Sequence, residues 1–170
     1  MASGDVVGVI IRELSPATSY ATPDSRAGGS TPAEGLAVYD FDDSTAEYMD
    51  YLCYLADNYD GGGLTVVLPW SATSATSNAV VWRAAIRRFA DDAEDVDVSH
   101  TYDFNQASAD TAPTASGEIS YPTIAFASGA DMDSLVAGEV FILRVGRLST
   151  DAGDTMTGDA ELWTPIIKET

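Results

Sequence analysis

Apolar side chains in this sequence recur at every second residue in short runs, and Gly, Pro, Asn and Asp end each run before it lengthens. Leu64, Val66, Leu68 and Trp70 share one face of such a run. Val80, Trp82, Ala84 and Ile86 share another, with Arg83 and Arg87 opposite. A two-residue period puts alternate side chains on opposite faces of a strand, so each run offers one face to a core. Similar runs fall at Asp5–Arg12, Leu36–Phe41, Tyr48–Leu55, Val96–Phe104, Ile119–Phe126, Phe141–Val145 and Asp159–Glu169. Ala79–Phe89 also fits helical spacing through Val81, Ala84, Ala85 and Phe89. A strand is preferred there because Val80, Val81 and Trp82 follow a turn-rich connector. About nine evenly spaced strands predict an all-β chain, an antiparallel β-sandwich of jelly-roll type.

Two regions are expected. Residues 1–35 hold a first strand and an extended N-terminal arm, because Ser15–Gly35 is rich in Pro, Gly and small polar residues and cannot build a core alone. Residues 36–170 form the jelly-roll domain. With 45% hydrophobic and 21% charged residues, a chain of 170 residues has the means to bury one core.

Charge narrows the partners. Eight Lys plus Arg stand against 27 Asp plus Glu, a net charge of −19. Such a surface repels phosphate, which disfavours nucleic acid and anionic membranes. No apolar stretch reaches the length of a membrane span. The start, Met1-Ala2-Ser3-Gly4-Asp5, lacks the basic region of a secretory leader. Cys53, the single cysteine, lies in the apolar run Met49–Leu55 and is expected as a small buried hydrophobe.

No pattern of catalytic or metal-binding spacing stands out. One His and one Cys cannot complete a zinc site. His100 falls in register with Val98 and Tyr102 and is expected to face inward. No Gly-x-Ser-x-Gly elbow or phosphate-binding loop is present. Acids cluster at Asp40, Asp42 and Asp43, at Asp57 and Asp60, from Asp91 to Asp97, and at Asp151 and Asp154. Among 27 acids such clusters arise by chance, and Asp57–Gly63 does not match the alternating ligands of a calcium loop. The expectation is a chain with no cofactor and no enzymatic activity. Trp70, Trp82 and Trp163 could offer sugar-stacking surfaces, although aromatics at alternating strand positions more often pack inside.

Several segments carry a resemblance. They are Tyr39-Asp40-Phe41-Asp42-Asp43-Ser44-Thr45, Asp57-Asn58-Tyr59-Asp60-Gly61-Gly62-Gly63-Leu64-Thr65-Val66, Val80-Val81-Trp82-Arg83, Leu143-Arg144-Val145 and Asp154-Thr155-Met156-Thr157-Gly158-Asp159-Ala160-Glu161-Leu162. In this order they resemble the small jelly-roll virion proteins of tailed bacteriophages, over about Leu36–Glu169. The resemblance implies a structural role on the outer capsid surface, as a decoration (cement) protein contacting the major capsid protein. The alternative it leaves is a receptor-binding or tail-fibre module that recognises a host surface glycan.

Val6, Val7, Val9, Ile10 and Ile11 are apolar on both faces of one strand, and Tyr48, Leu52 and Tyr54 add apolar positions opposite the inward set of another. A strand apolar on both faces requires a second covering surface. These eight residues are therefore the candidate oligomer or capsid interface. Closed symmetry is the common solution for self-association, and a trimer fits the local axes of a capsid lattice.

The charge yields a first prediction. Repulsion among 19 excess negative charges opposes the compact state, and salt shortens its reach to about 8 Å near physiological strength. The melting temperature should rise between low salt and molar NaCl. A flat profile in calorimetry would show that the acids are already locally neutralised.

Overall fold

All but one of the alternating runs form strands in the computed structural model, which describes residues 3–170. Met1 and Ala2, the first residues of the expected arm and of the segment compared with a leader, lie outside the described residues. In chain order the strands are β1 (Val6–Leu14), β2 (Thr22–Ala27), β3 (Gly35–Phe41), β4 (Tyr48–Leu55), β5 (Leu64–Val67), β6 (Trp70–Ala72) and β7 (Ala79–Val80). There follow β8 (Trp82–Phe89), β9 (Asn105–Gln106), β10 (Asp110–Thr111), β11 (Thr123–Phe126), β12 (Val140–Arg147), β13 (Ala160–Leu162) and β14 (Ile166–Glu169). Among the described residues the only helical element is one 3-10 turn at Ala130–Met132, and no helix is long and apolar enough to cross a membrane.

The chain is all-β, with antiparallel sheets. Of the two main sheets the larger has eight strands in the order β11-β5-β14-β1-β4-β12-β8-β9 and the smaller has four, β2-β3-β13-β6, while β7 and β10 pair as a separate two-stranded ladder. The larger sheet almost closes on itself. From one edge strand, Asn105 Nδ2 donates to the Ala125 carbonyl on the other at 2.8 Å. A closed edge leaves few unpaired backbone groups to recruit other chains.

Two strand pairs cross from one sheet to the other at a shared corner. β5 pairs with β14 in the larger sheet, and their continuations β6 and β13 pair in the smaller one. Pro69 and Pro165 stand at the crossing. Proline has no N–H for the ladder and so marks where the pairing breaks. The Trp163 N–H donates to the Pro69 carbonyl at 2.9 Å and closes the corner. The runs expected as single strands at 64–70 and 159–169 are therefore each divided between two sheets.

Residues 6–14, which include most of the first strand expected at Asp5–Arg12, pair with β14 on one side and β4 on the other, within the larger sheet. Gly8 permits that approach, since a Cβ there would lie 2.5 Å from the Ile167 Cβ. Residues 22–27, expected as loop, form the smaller sheet's edge and pair along their length with β3. Their sequence, Thr-Pro-Asp-Ser-Arg-Ala, carries no apolar alternation because nearly every side chain faces solvent. Residues 96–104, expected as a strand, are irregular. The strand reading of 79–89 holds, and Cys53 is buried.

Both sheets feed one core. Phe41, Trp70 and Leu162 enter from the smaller sheet, and Trp82, Tyr51, Leu143 and Val145 from the larger. Phe41 meets Trp82 edge-on at 5.1 Å between ring centres, and Trp70 meets Trp82 at 6.1 Å. Each such pair contributes about 0.5–1.5 kcal/mol beyond the area it buries.

Arg147, at the end of β12, is fully buried among these side chains. Its Nε and Nη2 donate to Asp154, and Nη2 also reaches the Met156 carbonyl at 2.6 Å. Its Nη1 donates to the carbonyls of Phe41, at 3.1 Å, and Gly158, at 2.8 Å. All five N–H groups of the guanidinium thus have an acceptor. Asp154 in turn accepts the Val81 N–H at 3.0 Å.

Replacing Arg147 by Met should destabilise the fold by about 3–5 kcal/mol, because Asp154 is left buried and unpaired. Adding Asp154→Leu should recover part of that loss. Urea unfolding of the wild type, both single variants and the double variant measures the coupling. Simple additivity of the two single effects would refute it.

Candidate functional site

The outward face of the larger sheet carries most of the candidate interface. Register shifts between Val6 and Gly8 and between Ile10 and Arg12 divide the apolar residues of β1 between the two faces. Val7 faces the core at 1% exposure and Ile10 packs against it, while Val6, Val9 and Ile11 are 57%, 55% and 56% exposed. Along β4, Tyr48, Leu52 and Tyr54 fall on the outward side and Met49, Tyr51 and Cys53 inward. Register then aligns residues from four strands. Val9 lies opposite Tyr54, Tyr54 opposite Val140, and Val140 opposite Phe89. The next outward row is Arg12, Leu52, Ile142 and Arg87. The structure thus joins Val9, Leu52 and Tyr54 to Val140 and Phe89, with Ile142 buried beside them. It removes Val7 and Ile10, which belong to the core. Val140 and Phe89 could not be added from the sequence, because only strand pairing sets them beside β1 and β4.

The same face becomes ionic towards Tyr48. Arg144 donates to both carboxylate oxygens of Asp50, each at 2.7 Å, and lies 4.0 Å from the centre of the Tyr102 ring. Arg83 sits between Tyr48 and Phe104, at 5.0 and 4.8 Å from their ring centres. Arg87 donates to the carbonyls of Asp95 and Val98. These three arginines hold the segment 95–104 against the sheet, where no neighbouring strand takes up its pairing. His100 does not enter the core; its ring meets Tyr102 edge-on at 4.9 Å.

The outward face of the smaller sheet is polar. Arg26 reaches from β2 across the sheet to Glu161, and also donates to Ser116 Oγ at 2.9 Å. Ser71 Oγ donates to Glu161 at 2.7 Å, and Trp163 Nε1 donates to Ser71 Oγ at 3.1 Å. Carboxylate oxygens of Asp24, Asp40 and Glu161 lie within 4.8 Å of one another. They could offer oxygens to a hard cation, although Arg26 already supplies positive charge to Glu161. A small hollow beside them is lined by Thr22, Asp40, Asp42, Glu47 and Asp159. Burial, then the charges of Asp24, Glu161 and Asp159, push the Asp40 carboxyl up to about 6. Burial likewise raises Glu47 and Asp159. Asp42 is held low, chiefly by hydrogen bonds from Ser44. Of the acid clusters visible in sequence, this site takes Asp40 and Asp42, while Asp154 pairs with Arg147 and Asp57 accepts from Tyr54 OH at 2.5 Å. Asp24 and Glu161 were not separable from other acids by sequence.

Trp70 and Trp82 are fully buried, whereas Trp163 is half-buried. With Tyr121, which is 58% exposed, Trp163 lines a groove of about 470 Å³ floored by Leu36, Pro69, Ile119 and Ile166. No protein-family model matches the chain, and no curated protein matches its sequence.

The raised Asp40 carboxyl gives a pH prediction. An acid whose folded pKa exceeds its unfolded value binds more protons when folded, so its contribution to stability falls as pH rises through that window. For Asp40 the window runs from 3.8 to about 6. Asp40→Asn should raise the melting temperature at neutral pH and flatten the profile across that window. Asp42 shifts in the opposite sense, so the readout is the difference between variant and wild type at each pH. A lower melting temperature for Asp40→Asn at neutral pH would contradict it.

Proposed function

We propose that this chain is a virion structural protein, a decoration (cement) protein on the outer surface of a tailed-bacteriophage head, with a sandwich of jelly-roll type. It associates as a homotrimer and contacts the major capsid protein. One observation carries the reading: the outward row Val9, Tyr54, Val140 and Phe89, extended by the half-buried Leu52. Apolar residues aligned across four adjacent strands form a continuous surface of the kind that marks protein–protein contact. The exposed Val6 and Ile11 adjoin the same strand. The N-terminal region's share of this contact comes from the outward side chains of β1 rather than from a detached arm.

The acidic remainder of the molecule supports the same assignment. A net charge of −19 keeps copies apart except where apolar surface outweighs repulsion, which confines association to few faces. A protein bound outside a shell has no need of the basic surface that packaged DNA would attract.

Sedimentation of the isolated protein should show a trimer. Tyr54→Asp should raise its dissociation constant at least about tenfold, equivalent to about 1.4 kcal/mol, and should reduce binding to heads stripped of the protein. Since Tyr54 points outward, the melting temperature of the dissociated variant should stay close to that of dissociated wild type. A stable wild-type monomer at micromolar concentration would oppose the trimer, and unimpaired capture of the variant by stripped heads would oppose the capsid contact.

A further inference from the structure

We infer that the groove between Trp163 and Tyr121 binds the ring face of an uncharged sugar. The site lies at the corner where the two strand pairs cross, and it is separate from the apolar row of the larger sheet. Trp163 is the tryptophan that the core does not use. Its ring is fixed on both sides of the chain: the backbone N–H bonds the Pro69 carbonyl at 2.9 Å, and Nε1 bonds Ser71 Oγ at 3.1 Å. Ser71 is itself buried and bonded to Glu161. An indole held in this way loses little freedom when a ligand arrives, which favours binding.

Tyr121 presents a second aromatic surface to solvent. It is placed by its neighbour Ser120, whose N–H and carbonyl both pair with Trp70 at 2.9 and 3.0 Å. The aromatic faces carry partial negative charge and attract the weakly positive C–H bonds of a pyranose face. Sugar hydroxyls at the ring's edge need polar partners, and the lining supplies the hydroxyls of Thr164 and Tyr121. Thr164 lines the groove and donates to Glu13 at 3.4 Å, and Glu13 also accepts from Tyr39 OH at 2.8 Å. The volume of about 470 Å³ suits a small ligand and falls within the roughly 300–1,000 Å³ common for such sites.

Charge selects among occupants. No Lys or Arg lines the groove, so an anionic sugar has no counterion there. A second copy of this chain would bring another −19 charge against one small groove, whereas the apolar row of the larger sheet runs over four strands. A basic peptide finds no carboxylate among the lining residues to pair with. An uncharged ring with hydroxyls at its edges meets none of these penalties.

The test is a two-dimensional amide NMR titration of the full chain, following the three indole N–H signals. The probes are lactose, maltose, cellobiose and N,N′-diacetylchitobiose, with sialyllactose and an Arg-rich peptide as contrasts. At least one uncharged disaccharide should shift the Trp163 signal in a saturable way and leave those of Trp70 and Trp82 in place. Trp163→Ala and Tyr121→Ala should each weaken binding at least about tenfold, a change of about 1.4 kcal/mol. Tyr121→Ala removes an exposed ring and should keep the folded spectrum, so it separates lost binding from lost folding. Four results would overturn the inference: no shift with any uncharged probe at about 50 mM, unchanged affinity in Tyr121→Ala, a Trp163 response confined to sialyllactose or the peptide, or one that follows protein concentration alone.

Discussion

Arg147 carries its charge into the middle of the protein, where an unpaired guanidinium would be several kcal/mol too costly to bury. It is tolerated because five acceptors converge on it: two carboxylate oxygens of Asp154 and the carbonyls of Phe41, Met156 and Gly158. Those acceptors come from different parts of the chain. Phe41 ends a strand of the smaller sheet, while Met156 and Gly158 lie on the loop that leads into β13. One side chain of the larger sheet therefore fixes where the smaller sheet's central strands begin and end. Asp154 extends the network to the backbone between β7 and β8. The sheets cannot slide without exposing or orphaning one of these groups.

Five of the other six arginines are used in a similar way, as fasteners. Arg26 ties the edge strand β2 to Glu161 and Arg88 holds Glu139, while Arg144 holds Asp50 and Tyr102. Arg83 and Arg87 secure the 95–104 segment. With most of its scarce cations committed to internal contacts, the protein leaves most of its acids uncompensated at the surface. The two faces then differ in kind. The outward side of the larger sheet has an apolar row on which repulsion can be overcome, and the smaller sheet has a polar face ending in an aromatic groove.

Alternation made much of the fold readable. Runs such as Tyr48–Leu55 and Phe141–Val145 have one apolar face for the core, and β4 and β12 follow them closely. The same logic failed for residues 96–104, where alternation is present but no neighbouring strand takes up the pairing. It also failed for β2, whose exposed edge position demands no apolar pattern. The divided runs at β5–β6 and β13–β14 kept their periodicity through the corner, so pattern alone could not show that each changes sheets.

What the sequence determined by itself is the class of structure and the sign of its surface: short alternating runs require strands, and a balance of −19 requires an acidic exterior. It also marked β1 and β4 as strands with apolar residues on both sides. Tertiary structure decided which of those residues meet. Val9 and Val140 are 131 positions apart, yet both lie opposite Tyr54 because β4 is paired on both edges. It likewise chose Arg147 among seven arginines for burial, and Trp163 among three tryptophans for the surface. Side-chain period is a local property that a strand carries with it. Strand order and register are set by long-range packing, and only they bring distant residues onto one face.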